Sequence, residues 1–441
     1  MAPAVSGAVF ATALAVYAAT CYRTAAGGDS AELAVAAALF PRVLAHPPGY
    51  PLYTMLAAAA FQAVPMQPAF AVNLLTAVLG AAATMAVEGT AFELIRLLDL
   101  GCAPAQGHLC SIFAAGMFAT QPVVWLYAVH AEVFALNNAL LALLCWLFLQ
   151  AALLATSGKG SGSSCRFRVR LLQGAFVLGL ALSNQHTAVL FGVPLVLGAL
   201  ALDHRTLRPR SMMRLAASTC AGLLPYFYLL VAQRHPHPFT WPAETNTVSG
   251  FLAFVLRRDY GTFQLQAKGE NRWKFRAMDS NDAAAAAVAA SSNALAELSL
   301  PSLDRLQANL MHFGRAVAAW PQSPMHAFVL LPSAGIGSFV CFARVLALML
   351  RGRCSKTDAC KQAAENAVWP VATAVVTLHV ALALYLGVMC SLANVASHEG
   401  IIGGVLERFW MQPLLIVAPL SAVGLAALLA AGVHILRAPA E

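Results

Sequence analysis

Long apolar runs alternate along this chain with short polar ones. About eighteen or more apolar residues suffice to cross the hydrocarbon core of a bilayer, and runs of that order recur from one end to the other. The pattern predicts ten membrane-crossing helices, at about 4–22, 70–97, 109–123, 132–155, 171–184, 187–203, 213–233, 327–350, 367–390 and 409–433. A further apolar stretch at 50–64 is too short to cross and reads as a re-entrant or interfacial helix. The expected fold class is an all-α polytopic membrane protein. No internal repeat and no soluble domain of substance is visible, so residues 1–441 read as a single transmembrane domain without a C-terminal soluble repeat domain.

Composition agrees with the pattern. Sixty per cent of the 441 residues are apolar, only 10% are charged, and the mean hydropathy is +0.70. A soluble domain carries about a quarter charged residues, so this chain cannot cover a water-facing globule. The net charge of +8 points to topology rather than to nucleic acid. With the N-terminus in the cytoplasm, three basic loops fall on the cytoplasmic side, as the positive-inside rule requires. They are 156–170 (Lys159, Arg166, Arg168, Arg170), 203–214 (Arg205, Arg208, Arg210, Arg214) and 351–366 (Arg351, Arg353, Lys356, Lys361). The two longest loops, about 23–69 and 234–326, then face the other side.

Several features have a plain reading. Ala4 to Cys21 lacks a positive n-region and reads as an uncleaved span rather than a signal peptide. The ten cysteines are scattered through apolar runs, with no zinc spacing and no disulfide framework. The glycine- and serine-rich run at 156–164 is a linker by composition and lacks the GxxxxGK[ST] pattern of a phosphate loop. The alanine-rich stretch from Asn281 to Asn293 reads as a surface helix or an insert.

Candidate chemistry gathers in the non-cytoplasmic loops. Gly-Gly-Asp-Ser-Ala-Glu-Leu at 27–33 puts Asp29 just beyond the first span, after two glycines that let backbone approach a ligand closely. Asp29 can act as a general base toward a hydroxyl. It can equally cap a helix starting near Ser30, with Glu32 completing a capping box. Ala-His-Pro-Pro-Gly-Tyr-Pro-Leu-Tyr at 45–53 is a rigid turn carrying His46, Pro48, Tyr50 and Tyr53. It serves either as an interfacial anchor or as an element that shapes a substrate site.

Tyr127, His130 and Glu132 lie at the entrance to the fourth span, where an unpaired carboxylate is expensive. Asn184 and His186 sit in a polar interruption at 183–187. The second long loop carries Glu244 and an amphipathic stretch ending in Arg257, Arg258, Asp259 and Tyr260; Glu407 and Arg408 open the last span. Arginine at an interface suits a phosphate, which its guanidinium grips through paired charge-assisted hydrogen bonds. Simple anchoring to lipid head groups is the alternative. The topology, set by Lys and Arg loops alone, places all of these on one side of the membrane. That describes an active site at the membrane surface, open sideways to lipid.

The runs GGDSAEL, AHPPGYPLY, WLYAVHAEVFALN, SNQHTAVL, GFLAFVLRRDYGTFQL and LERFWMQP, in this order from first span to last, resemble the transmembrane protein 260-type protein O-mannosyltransferases. The resemblance implies the GT-C glycosyltransferase fold and, in the first luminal loop, short juxtamembrane helices. It implies transfer of mannose from dolichyl-phosphate mannose, a substrate rather than a cofactor, to Ser or Thr hydroxyls of protein acceptors in the lumen of the endoplasmic reticulum. An acidic residue of the first luminal loop serves as base or organiser in such enzymes; Asp29 matches it, with Glu32 as a second catalytic candidate. Membrane-proximal arginines that bind the donor phosphate match Arg258 and Arg408. Eukaryotic relatives usually add a soluble luminal repeat region, which this chain lacks after its last span, so acceptor choice stays open. The alanine-rich insert also departs from the family pattern.

These readings converge on an inverting transferase that needs no metal. A transporter or lipid flippase is the rival class. It calls for ionisable residues near mid-membrane and paired half-repeats, and neither is visible in the sequence. A catalytically inactive relative is the third reading.

Overall fold

The computed structural model describes residues 2–64, 66–156, 161–232, 234–258, 309–311, 313, 329–354, 358–392 and 407–437. Every regular element among them is helical. In chain order they are α1 (Ala2–Ala19), α2 (Ser30–Ala38), α3 (Pro51–Ala63), α4 (Pro68–Leu98), α5 (Pro104–Ala119), α6 (Pro122–Ala128), α7 (Phe134–Thr156) and α8 (Ser161–Asn184). There follow α9 (Val189–Leu202), α10 (Pro209–Gly222), α11 (Phe227–Ala232), α12 (Val248–Val255), α13 (Leu331–Cys354), α14 (Asp358–Leu392) and α15 (Met411–Arg437). Short 3-10 turns lie at His186–Ala188, His204–Leu207 and Leu224–Tyr226, and another, Arg408–Trp410, leads into α15.

Among the described residues, six helical segments are long and apolar enough to cross a membrane: Pro68–Leu98, Phe134–Thr156, Pro209–Ala232, Leu331–Leu350, Ala367–Ser391 and Arg408–Gly432. The α5–α6 pair adds a seventh if it is counted as one span. The protein is thus a multi-pass membrane protein. Helices lie over all ten segments expected from the sequence, but α1 and α9 are short, and α8 opens on Arg166, Arg168 and Arg170.

The expected span at 109–123 is not continuous. It breaks ahead of Pro122 and bends by 73°, because proline lacks the N–H that would continue the ladder and disfavours the helical region for the residue before it. Proline also marks helix starts: α3, α4, α5, α6 and α10 each begin on one, where the missing N–H has no partner to lose. The apolar stretch at 50–64 forms α3, the short helix its length predicted.

Helix α4 is the hub, packing against α1, α5, α7 and α15. Its sequence is rich in alanine and glycine, which lets backbones approach where lipid offers no hydrophobic drive between helices. A Cβ at Gly80 would lie 2.7 Å from the Cβ of Ala128, and one at Gly89 would lie 2.4 Å from the Trp146 ring. The same device recurs where Gly179 meets Gly222 and where Gly337 meets Gly424.

At one end of the bundle the two long loops dock on each other. The N–H groups of His237 and Trp241 donate to the carbonyls of Arg42 and Leu44 at 3.0 Å each, and Leu44 donates to Thr240 Oγ1 at 2.8 Å. Tyr228 donates its hydroxyl to the Val43 carbonyl. The 45–53 turn is therefore pinned from behind. At its apex Gly49 has φ +82°, and a Cβ there would come within 2.9 Å of both Leu229 and Phe254. We expect Gly49→Ala to destabilise the protein by about 2 kcal/mol, from a left-handed penalty plus overpacking, read as a lowered midpoint in detergent thermal unfolding.

Candidate active site

Three charged residues from distant parts of the chain meet where α2, α7 and α15 begin. Arg408 Nη1 lies 3.1 Å from Asp29 Oδ2 and 3.6 Å from Glu132 Oε1. Glu132 Oε1 in turn accepts the backbone N–H of Asp29 at 3.1 Å. The guanidinium stacks over Phe134, 5.4 Å from the ring centroid. Arg408 Nε and Glu132 Oε2 are buried and have no hydrogen-bond partner among the described residues. The cluster thus holds one unused buried donor and one unused buried acceptor, an arrangement that calls for a ligand or water.

Local sequence explains how the carboxylates get there. Gly27 and Gly28 have φ of +93° and +57°, a region open to glycine at little cost. At Gly28 a Cβ would stand 2.8 Å from Glu132 Oε1, so only glycine permits the Asp29 backbone to reach that carboxylate. Glu132 lies in the break between α6 and α7, two residues before the first helical residue, rather than inside the span that the sequence predicted. Its side chain is 1% exposed.

The capping alternative for Asp29 and Glu32 does not hold. Asp29 precedes α2 but makes no side-chain cap hydrogen bond. Its carboxylate faces Arg408 instead. Glu32 turns to the proline-rich turn, accepting the His46 backbone N–H at 2.6 Å on Oε1 and pairing with His46 Nδ1 at 2.9 Å through Oε2. His46 Nε2 meets the Tyr50 hydroxyl at 3.0 Å. Tyr50 has φ +42°, an uncommon conformation for a residue with a side chain. Such outliers persist where the surroundings hold them, and they cluster at working sites.

Burial, and then the charge of Asp29, push the Glu132 carboxyl up to about 7; Arg408 and the Asp29 N–H keep it from rising further. Burial alone would lower His46, but the Glu32 hydrogen bond and the Asp29 and Glu32 charges outweigh it, and the imidazole is raised. Both groups bind protons more tightly folded than unfolded. Their stabilising effect is present in full below the unfolded values and is lost as pH rises through the folded ones. Buried His186 and His130 are lowered and act in the opposite sense, so the test is a difference: the thermal midpoint of the wild type relative to that of Glu132→Gln is expected to fall as pH rises from about 4.5 to about 7.

The structure places the other expected residues as follows. Pro48 is buried within the turn. Tyr53 is fully buried, and its hydroxyl meets Thr76 Oγ1 at 2.8 Å and the backbone of Glu132, so it braces the cluster from beneath. His130 is buried, with Nδ1 2.6 Å from the Leu126 carbonyl and Tyr127 packed against its ring. Tyr127 also packs edge-on against Phe134, beneath Arg408. Asn184 donates to the Val133 carbonyl at 3.1 Å, fixing the residue after Glu132.

His186 pairs with the Tyr226 hydroxyl at 2.8 Å, outside the carboxylate cluster. The charge of Arg257 acts on His46, Tyr50 and His186. Arg258 is exposed. So is Glu244. Of the arginines expected to bind phosphate, Arg408 contacts Asp29 and Glu132. Tyr260 lies outside the described residues.

Sequence reasoning missed Asn73. It is fully buried near the start of α4, donates to the Tyr22 and Thr24 carbonyls at 2.8 and 3.1 Å, and accepts the Ala131 N–H at 2.7 Å. One side chain thus ties the Asp29 loop to the Glu132 segment. A lone asparagine in an apolar helix was the available signal. Asp29, Glu32 and His46 also offer metal-ligand atoms within 4.8 Å of one another, but Asp29 is engaged by Arg408, and Glu32 and His46 by each other.

Comparison with known proteins places this geometry in a family. The model described as the protein O-mannosyl-transferase TMEM260 N-terminal domain matches residues 29–207, beginning on Asp29. A Mus musculus relative, protein O-mannosyl-transferase TMEM260, is 31% identical over 435 residues, which cover 96% of this chain and 49% of the mouse protein. A Dictyostelium discoideum relative of the same name is 28% identical over 266 residues, covering 58% of this chain and 31% of its own length. The chain thus spans about half the length of the mouse relative. No solved structure matches. With a shared N-terminal domain and an alignment running along almost all of its length, this chain belongs to the TMEM260 family.

Proposed function

We propose that this protein is a membrane glycosyltransferase of GT-C type. It transfers mannose from dolichyl-phosphate mannose to Ser or Thr hydroxyls of protein acceptors, with inversion, at the luminal face of the endoplasmic reticulum. The observation that carries this reading is the convergence of Asp29, Glu132 and Arg408 at one end of a membrane-embedded bundle. A transporter would instead line a mid-membrane path with such charges. The sequence reading passed over one carboxylate inside a span, Glu88 of α4, which is buried and accepts the hydroxyls of Ser6 and Ser111. The relatives' name supplies the sugar and the protein acceptor, and the spans beyond six that this fold implies belong to the same proposal.

In the proposed reaction the acceptor oxygen attacks the anomeric carbon from the face opposite the lipid phosphate. The bond between sugar and phosphate oxygen breaks, and its electron pair stays on the phosphate. Asp29 takes the hydroxyl proton. Arg408 stabilises the charge that develops on the phosphate, using donors already aimed into the site, and its buried Nε is free among the described residues to take part. Glu132 and Asn73 hold the Asp29 loop in place. Phosphate is a good leaving group without a metal, so the rate is expected to survive chelation.

The donor class is the test. The purified chain in detergent receives a protein acceptor and radiolabelled mannose, either on dolichyl phosphate or on a nucleotide, with and without EDTA. Transfer from the lipid donor that persists in EDTA is the expected result. Transfer from the nucleotide sugar alone would overturn the proposal.

A further inference from the structure

Away from the charged cluster, α7, α8, α9 and α10 enclose a cavity of about 240 Å³. It lies toward the other end of the bundle: from Phe134, beside Arg408, to Leu147 in its wall is about 20 Å along α7 at the helical rise per residue. Its walls are apolar except for Arg170 and Thr219. A cavity so lined does not hold water well. Val196 of α9 and Met212 of α10 line it and are 42% and 41% exposed, so it opens sideways where these two helices face lipid.

Charge near the cavity is mostly basic, with Asp203 at the end of α9 as an acidic exception. Arg170 is half-buried, its stem on the apolar wall and its Nη1 donating to Gln173 Oε1 at 2.7 Å. Exposed Arg166 and Arg168 on α8, and Arg210 and Arg214 on α10, lie in the first turns of the same two helices. An apolar slot open to the bilayer with a guanidinium at its rim matches a lipid whose tail is apolar and whose head group is anionic.

We propose that this cavity binds one acyl chain of an anionic membrane phospholipid in the leaflet opposite the candidate active site, with the lipid phosphate held by Arg170. The site is separate from the one that would take the sugar donor. It ties α7, α8, α9 and α10 together, and α7 and α8 also supply Phe134 and Asn184 at the far end.

Gly174 provides a clean probe, because it lines the cavity and a Cβ there would meet nothing within 4 Å. Gly174→Leu should fill the slot without disturbing its neighbours. The full chain is exchanged into mixed micelles of phosphatidylserine and phosphatidylcholine, and retained lipid is counted by native mass spectrometry. The wild type is expected to keep one phosphatidylserine in preference to phosphatidylcholine. Arg170→Gln should weaken that preference about fivefold, the effect of one basic residue near a charged head group. Gly174→Leu should lose the retained lipid of either kind with an unchanged unfolding midpoint. Equal retention by wild type and Gly174→Leu, no preference between the two head groups in the wild type, or displacement of phospholipid by dolichyl phosphate would each overturn the proposal.

Discussion

Asp29→Asn is expected to lower the turnover of mannose transfer by about 10²- to 10⁴-fold, the usual contribution of a positioned general base. The substitution keeps the shape of the side chain and the backbone N–H that Glu132 accepts at 3.1 Å. It removes the carboxylate that would take the acceptor proton. Folding should survive, because Arg408 keeps Glu132 as a counter-charge 3.6 Å away and the Asp29 side chain is 31% exposed. The loss should therefore appear in kcat, with donor binding close to that of the wild type. Full activity in a correctly folded Asp29→Asn protein would remove Asp29 as the base and direct attention to Glu132, the other carboxylate of the cluster.

Arg408→Gln is expected to be as severe for a different reason. Two carboxylates share this guanidinium, and it is the group proposed to neutralise the departing phosphate. Loss of one such electrostatic contact typically costs about 10²- to 10³-fold in rate. Here donor affinity should fall as well. Without the cation the Glu132 carboxyl, already raised to about 7 by burial and by Asp29, should take up a proton near neutrality. That limits the damage to the fold.

Arg408→Lys should recover only part of the activity, since an ammonium neither forks across two oxygens nor stacks flat on Phe134. Kinetics of the two single variants and the Asp29→Asn/Arg408→Gln double variant check the unit. Residues that work together should give effects far from additive.

Much of this was legible in the chain. The helical class, the membrane assignment and the approximate helix positions follow from runs of apolar residues whose length has one physical use. The grouping of Asp29, Glu132 and Arg408 followed from topology: if charged loops set the orientation, all three fall at the same face.

What could not be read was pairing. Glu32 looked like the third residue of a capping box, since spacing alone satisfies that motif. Only the return of the chain through the 45–53 turn shows that both its oxygens go to His46. The resemblance pointed to Arg258 and Arg408 for the phosphate, and only the packing of helices more than a hundred residues apart shows that Arg408 reaches Asp29 and Glu132 while Arg258 is exposed. Tyr53 was grouped with its aromatic turn, and only the register of α3 shows that its hydroxyl reaches Thr76 and the Glu132 backbone. Asn73 escaped notice because its value lies in bridging two loops that are neighbours only in the folded chain.

The most direct test is an experimental structure of the protein with dolichyl-phosphate mannose bound to a slow variant such as Asp29→Asn. The phosphate is expected within hydrogen-bond distance of the Arg408 guanidinium, with the anomeric carbon turned toward residue 29. A phosphate seated at the opposite end of the bundle, or a sugar out of reach of residue 29 while Arg408 stays bound to Glu132, would contradict the account.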